Sequence, residues 1–209
     1  MGLSGSYNVI KENGASEIVV TKSRFIGNLV SVSSAEEAEE FITFIRKKYN
    51  DARHNCWAYI VMDGDMIINK CSDDGEPSGT AGRPILSIME GAGLVNAVCT
   101  VTRYFGGVLL GTGGLVRAYS DAASQALEGA VVSPIRRGMY MSFVCDYQDE
   151  GGIRRLLESE DFTITDSGYT DKVAITVLGP EEKADPLMKR ITDMTGGRVI
   201  PESGESVYY

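Results

Sequence analysis

Three carboxylates, Asp73, Asp74 and Glu76, fall within four positions of one another in the run Cys71 to Gly82 (CSDDGEPSGTAG). Oxygen ligands this close in sequence could hold a divalent cation or present an acid/base pair. Their spacing does not match the twelve-residue EF-hand loop. The same residues also have a purely structural use, in which Asp and Ser bind nearby backbone N–H groups while Gly and Pro shape the turn. A second candidate is Gly106 to Gly114 (GGVLLGTGG). Gly106 and Gly111 have the separation of a P-loop, yet Thr112 stands where its Lys belongs, and Val116 occupies the third glycine position of a dinucleotide fingerprint. What survives is an anion-binding turn at a helix N-terminus, with Arg103 or Arg117 completing the charge; glycine used for tight turning and close packing is the alternative. His54 and Cys56 are two apart and share a face if extended, which permits a Cys–His pair but supplies no third group to orient it. No GxSxG, HExxH or kinase-type motif occurs.

These residues must be held by a mixture of strands and helices. Tyr7 to Ile10 and Glu17 to Lys22 read as a β-hairpin turning at Asn13-Gly14, followed by a strand from Arg24 to Val32. A helix then starts at Ser34, with Glu37 three residues on as a capping box and Arg46, Lys47 and Lys48 in its last turn. Ala38, Phe41, Ile42, Ile45 and Tyr49 form its apolar face. Asn55 to Met62 and Met66 to Asn69 read as a second hairpin through Asp63-Gly64. The carboxylate run is a loop, Pro84 to about Met89 a short helix, and Ala97 to Tyr104 a buried strand. A helix from about Leu115 to Glu128 follows the glycine-rich turn. Val131 to Pro134 is the expected linker between a domain of residues 1–134 and one of residues 135–209. Beyond it the order is strand, helix, strand, strand, helix and a short strand at Arg198 to Ile200, the βαββαβ arrangement of a ferredoxin-like domain.

Composition narrows the classes of function. The 209 residues are 43% hydrophobic and 23% charged, values of a folded chain with room for two modest cores. No run of about 18 apolar residues occurs, and Met1 to Ser6 lacks a basic and an apolar signal region, so a cytoplasmic protein without a membrane segment is expected. Cys56, Cys71, Cys99 and Cys145 form no CxxC pair, and a single His leaves no zinc-type ligand set; reduced, mostly buried thiols are expected. A net charge of −9 opposes wrapping of nucleic acid by the whole molecule, so any RNA contact must be a local patch. Residues 91–120 supply one, with Arg103 and Arg117 and no Asp or Glu.

Four blocks of sequence resemble a known family. They are Ser23-Arg24-Phe25-Ile26-Gly27, Ala52 to Tyr59 (ARHNCWAY), Ser72 to Gly82 (SDDGEPSGTAG), and Val101 to Gly107 (VTRYFGG) continued by Leu110 to Tyr119 (LGTGGLVRAY). In this order they are similar to the signature of the IMPACT/YigZ family, and the chain beyond Ile135 is similar to the small C-terminal domain of its bacterial members. The resemblance implies an α+β protein whose N-terminal domain has the fold of ribosomal protein S5 domain 2, followed by a ferredoxin-like domain similar to domain V of elongation factor G. It also implies a role in translation, since eukaryotic members regulate translation under amino-acid starvation by binding the activator of an initiation-factor kinase, and they carry an additional N-terminal partner-binding domain. Met1 to Lys22 leaves no room for that domain, so the eukaryotic partner is not carried over.

The expected function is therefore a translation-linked regulatory binding protein that contacts the ribosome, RNA or a translation factor, without sequence readout of DNA. Candidate binding residues are Arg24, Arg53, His54, Asp73, Asp74, Glu76, Ser78, Arg83, Arg103, Tyr104 and Arg117, with Gly111, Thr112, Gly113 and Gly114 as the candidate anion-binding turn. Arg103 and Arg117 are the expected phosphate contacts and Tyr104 a stacking side chain. Neither Arg is expected to be a buried charge. No catalytic residue, metal or cofactor is assigned. The alternatives are a metal- or phosphate-dependent small-molecule enzyme using Asp73, Asp74, Glu76 and the Gly111 to Gly114 turn, and signature blocks that only determine the fold, with the contact on the C-terminal sheet.

Overall fold

The computed structural model describes residues 7–64 and 66–209; the polar start Met1–Ser6 lies outside them. In chain order the elements are β1 (Tyr7–Glu12), β2 (Gly14–Val20), β3 (Ser23–Ser31), α1 (Ala35–Lys48), β4 (His54–Asp63), β5 (Met66–Ser72), α2 (Gly82–Gly91), β6 (Ala97–Tyr104) and α3 (Gly111–Glu128). They continue as β7 (Val131–Ile135), β8 (Arg137–Cys145), α4 (Tyr147–Ser159), β9 (Thr163–Tyr169), β10 (Val173–Pro180), α5 (Glu181–Met194) and β11 (Glu202–Tyr208). The chain forms two compact units, one ending at Pro134 and the other Ile135–Tyr209.

The first unit is built on a five-stranded sheet of order β2-β3-β6-β4-β5, antiparallel at every step. Alternation along the strands sends Val30 and Val32 to one face and Phe25 and Gly27 to the other. Ala38 and Ile42 of α1 pack on the first face against Val32, Tyr59, Val61 and Val98. Helix α3 covers the second, with Tyr119 edge-on to Phe25 at 5.2 Å between ring centroids. Ser34 Oγ caps α1 by accepting from Glu37 N, while the Glu37 carboxylate accepts from the N–H and hydroxyl of Ser33. The return bond of the capping box thus reaches one residue further back than the motif predicts.

The second unit is a four-stranded antiparallel sheet of order β11-β8-β10-β9. Alternate residues of its central strands, Met141, Phe143 and Cys145 with Val173, Ile175 and Val177, pack against Ile153 and Leu157 of α4 and Ala184, Leu187 and Ile191 of α5. Both helices therefore lie on one face.

Several local expectations change. Asn13-Gly14 is not a hairpin turn, because β1 pairs with β7 rather than with β2. Gly14 is instead a close-approach residue, since a Cβ there would lie 1.9 Å from the Ala126 carbonyl oxygen of α3. The true hairpin joins β2 to β3 through Thr21-Lys22, both with positive φ (47° and 66°), the backbone of a tight two-residue turn. Val131 to Pro134, expected as a linker, lies in the strand β7 (Val131–Ile135), while the two units divide after Pro134. The final strand is Glu202–Tyr208 and not Arg198 to Ile200: it is a polar, mostly exposed edge strand with a register shift between Ser203 and Ser206. Helix α3 begins at Gly111, so the expected anion-binding turn is the first turn of the helix itself.

All four cysteines are free, Cys71 exposed and the other three buried. Burial pushes the Cys99 thiol up to about 12, and it raises Cys56 further. Among the described residues no helix is long and apolar enough to cross a membrane.

Candidate functional site

Cross-strand register assembles the site. Phe25 of β3 and His54 of β4 are both direct neighbours of Arg103 of β6, so three adjacent strands present one row toward α3. A guanidinium in the middle of a sheet face needs a counter-ion. Glu76 supplies it: its Oε1 accepts from Arg103 Nη1 at 2.7 Å and from the Tyr119 hydroxyl at 2.8 Å. Both charged side chains are almost fully enclosed, 6% and 3% exposed. Burial raises the Tyr119 phenol far above its ordinary value, which keeps the hydroxyl protonated as the donor to Glu76. Arg103 Nη2 lies 3.4 Å from Ser23 Oγ, and its guanidinium sits between the Phe25 and Phe105 rings, 5.5 Å from each. Its Nε is buried with no hydrogen-bond partner.

The loop that delivers Glu76 is held by the two carboxylates before it. Asp73 accepts from the N–H groups of Gly79, Ala81 and Gly82, closing the loop and satisfying the start of α2. Partial burial works against the Asp73 carboxylate, but bonds from Gly79, Gly82 and Ala81 outweigh it and hold the group below its usual range. Asp74, at a positive φ of 45°, accepts from Arg46 and from Asn55 N. His54 Nδ1 lies 2.9 Å from the Asp74 carbonyl and must donate to it, so in the neutral ring Nε2 carries the lone pair, 3.9 Å from Glu76 Oε1. The three carboxylates thus point to three different tasks. Among the described residues no cluster of His, Cys, Asp and Glu suited to a metal ion occurs.

Beside this buried pair lies a cavity of about 390 Å³. Its polar lining is Arg53, His54, Glu76 and Arg103, with Gly111 and Thr112 from the first turn of α3. Its apolar lining is Pro77, Phe105, Leu109, Leu110 and Leu115. Helix α3 has Leu110 at its N-cap and no side chain capping it, and Gly111 and Thr112 of its first turn line the cavity, which puts the positive end of its dipole at the wall. Gly111 enters the helix with φ of 70°, a conformation that disfavours any residue with a Cβ. Arg53 is exposed and makes no hydrogen bond or ion pair among the described residues.

Of the candidate residues, the structure brings Arg53, His54, Glu76, Arg103, Gly111 and Thr112 to this cavity. Asp73 and Asp74 support its wall. Arg24 pairs with Glu17 and lies over the Tyr104 ring, whose hydroxyl donates to Asp51. As a strand neighbour of Arg103, Tyr104 points to the opposite sheet face, away from the cavity. Ser78 is exposed, and Arg83 pairs with Glu90 along α2. Arg117 donates its Nε to the Gly113 carbonyl on the outer side of α3. Gly113 and Gly114 belong to the first turn but do not line the cavity. Arg103 is a buried, paired charge, contrary to the expectation from sequence. Sequence reasoning missed Tyr119 and Ser23 as polar partners; the signal for Tyr119 was one hydroxyl on a helix face otherwise made of Leu and Ala.

The model of the Impact N-terminal domain matches residues 21–127, and a domain of unknown function (DUF1949) matches residues 143–198. IMPACT family member YvyE of Bacillus subtilis (strain 168) is 40% identical over 205 residues, covering 97% of this chain and 93% of the relative. IMPACT family member YigZ of Escherichia coli (strain K12) is 36% identical over 179 residues, 85% of this chain and 88% of the relative. A crystal structure described as that of a hypothetical protein superposes with a TM-score of 0.60 at 33% identity, covering 98% of both chains.

Proposed function

This chain belongs to the IMPACT family, and we propose from that premise that it is a translation-linked regulatory binding protein whose contact is a phosphate group of RNA, free or in the ribosome. The translational role is what the family resemblance implies. The observation that carries the phosphate contact is the juxtaposition, at one cavity, of the uncapped N-terminus of α3 and the unpaired Arg53 guanidinium. Backbone N–H groups and an arginine fork are complementary to phosphate oxygens, and the segment from Gly91 to Ser120 that carries most of the wall has no Asp or Glu. Arg103 serves this contact indirectly, neutralising Glu76 so that no bare carboxylate faces the anion.

We read the first unit as the fold of ribosomal protein S5 domain 2 and the second as ferredoxin-like. The second reading is supported by the βαββαβ element order with both helices on one face, and by β8 and β10, its first and third strands, at the centre of the sheet. A metal-dependent enzyme has less support, because Asp73 and Asp74 accept bonds that build the loop and Glu76 is paired with Arg103.

Co-sedimentation of the purified protein with ribosomal particles tests the proposal. Wild type is expected in the particle fraction and Arg53→Ala in the supernatant. Wild type remaining entirely in the supernatant would move the function to a protein partner.

A further inference from the structure

The cavity differs from a surface that follows a nucleic-acid strand, and this difference identifies its ligand more closely. Its volume of about 390 Å³ lies at the small end of the range for small-molecule sites, roughly 300–1,000 Å³. That is room for one nucleotide-sized group and not for a run of them. Its lining joins two chemistries: the start of α3, Arg53 and the Arg103–Glu76 pair on the one hand, and the apolar side chains Phe105, Leu109 and Leu115 on the other.

Two independent observations mark this polar lining as a ligand seat. The 18-residue helix α3 begins there without a side-chain cap. Arg103, only 6% exposed, lines the same cavity with its Nε unpartnered. The charges lining the cavity are two guanidinium groups against one carboxylate, which leaves about one positive charge, increased by roughly half a charge from the helix dipole. A phosphomonoester carries about −1.5 to −2 near neutral pH and matches that sum. The apolar lining is also partly uncovered: Phe105 is half-exposed and Leu109 is 87% exposed, so a flat ring system entering the cavity would remove both from water.

We infer that this cavity is an end-on site for a nucleoside monophosphate, with the phosphate on the first turn of α3 and Arg53, and the base against Phe105 and Leu109. The inference deepens the phosphate-contact reading above and rests on it. One chemistry has two sources, a free mononucleotide or the phosphorylated 5′ end of an RNA strand.

Thermal unfolding of the full chain with added ligand tests it. AMP at about ten times its Kd should raise Tm by roughly 3–6 °C, whereas adenosine and inorganic phosphate at that same concentration should each give less than half that rise. Arg53→Ala should lose most of the rise. Thr112→Glu should lose it as well while keeping the unliganded Tm at or above wild type, because an acid in the first turn complements the dipole but repels phosphate. A short RNA bearing a 5′-phosphate, compared with its 5′-hydroxyl form, separates the sources: a rise with AMP alone assigns the free nucleotide, and a phosphate-dependent rise with the RNA as well assigns the strand end. No rise with AMP or the phosphorylated RNA, an equal rise with adenosine or inorganic phosphate, or a rise that survives in both variants would overturn the inference. Sedimentation with ribosomal particles in the absence of any AMP effect would sink this site and leave the translational reading intact; the opposite pattern would do the reverse.

Discussion

The Glu76–Arg103–Tyr119 cluster sets the energetic contrast among the arginines. Removing Arg103 leaves a carboxylate enclosed without its counter-ion, a change that costs about 3–5 kcal/mol in comparable pairs. Arg103→Ala is therefore expected to lower the stability measured by urea unfolding by that amount, while the exposed Arg53→Ala stays within about 0.5 kcal/mol of wild type. Loss of RNA contact in an Arg103 variant would thus report unfolding as readily as a lost phosphate bond, which makes Arg53 the informative position. Asp73 gives a second test. Its folded-state pKa is depressed, so its contribution is fully present above the unfolded value of 3.8 and is lost as pH falls through the folded value. Asp73→Asn should cost about 1 kcal/mol near neutral pH, a capping-sized effect on a partly solvated group, and the deficit should close in acid as the wild-type carboxylate protonates. A deficit that is constant from neutral to acid pH would contradict this assignment. None of these partnerships was legible in the sequence, which shows three neighbouring carboxylates but not that one faces Gly79 to Gly82, one Arg46 and one a strand 27 residues on.

Elements were legible where a local signal and the tertiary demand agree. The cap and apolar stripe of α1 and the run of β6 are of this kind. The Asn13-Gly14 pair misleads because a glycine can serve either a turn or a close approach, and only the position of Ala126 on α3 decides between them. Conversely Thr21-Lys22 carries no turn signature, and a β-branched Thr at φ 47° is strained. Replacing the pair by Asn-Gly, the preferred sequence for that backbone, is expected to raise stability by roughly 1 kcal/mol, seen as a higher urea midpoint with an unchanged slope. A lower midpoint would mean that the Thr21 or Lys22 side chain makes a contact worth more than the backbone strain. The edge strand β11 escaped notice for a related reason: five of its seven residues are exposed, so no alternation of apolar side chains announces it.

At the scale of the whole molecule, the family and the two-unit α+β organisation could be read from four sequence blocks and the element order, whereas the cavity required the register that brings His54 beside Arg103 and the loop that carries Glu76. The net charge of −9 limits what such a molecule can do with RNA, because repulsion outside the cavity discourages extended contact. Screening over about 8 Å at physiological salt leaves a local contact possible. An end-on site neutralises one or two phosphates, so the most direct test of the account is the salt dependence of binding to a 5′-phosphorylated single-stranded RNA. The slope of log K against log salt is expected to be shallow, roughly −0.7 to −1.4, and to move about 0.7 toward zero in Arg53→Ala. A slope of about −4 or steeper, or one identical in wild type and Arg53→Ala, would contradict a single phosphate seat at the start of α3.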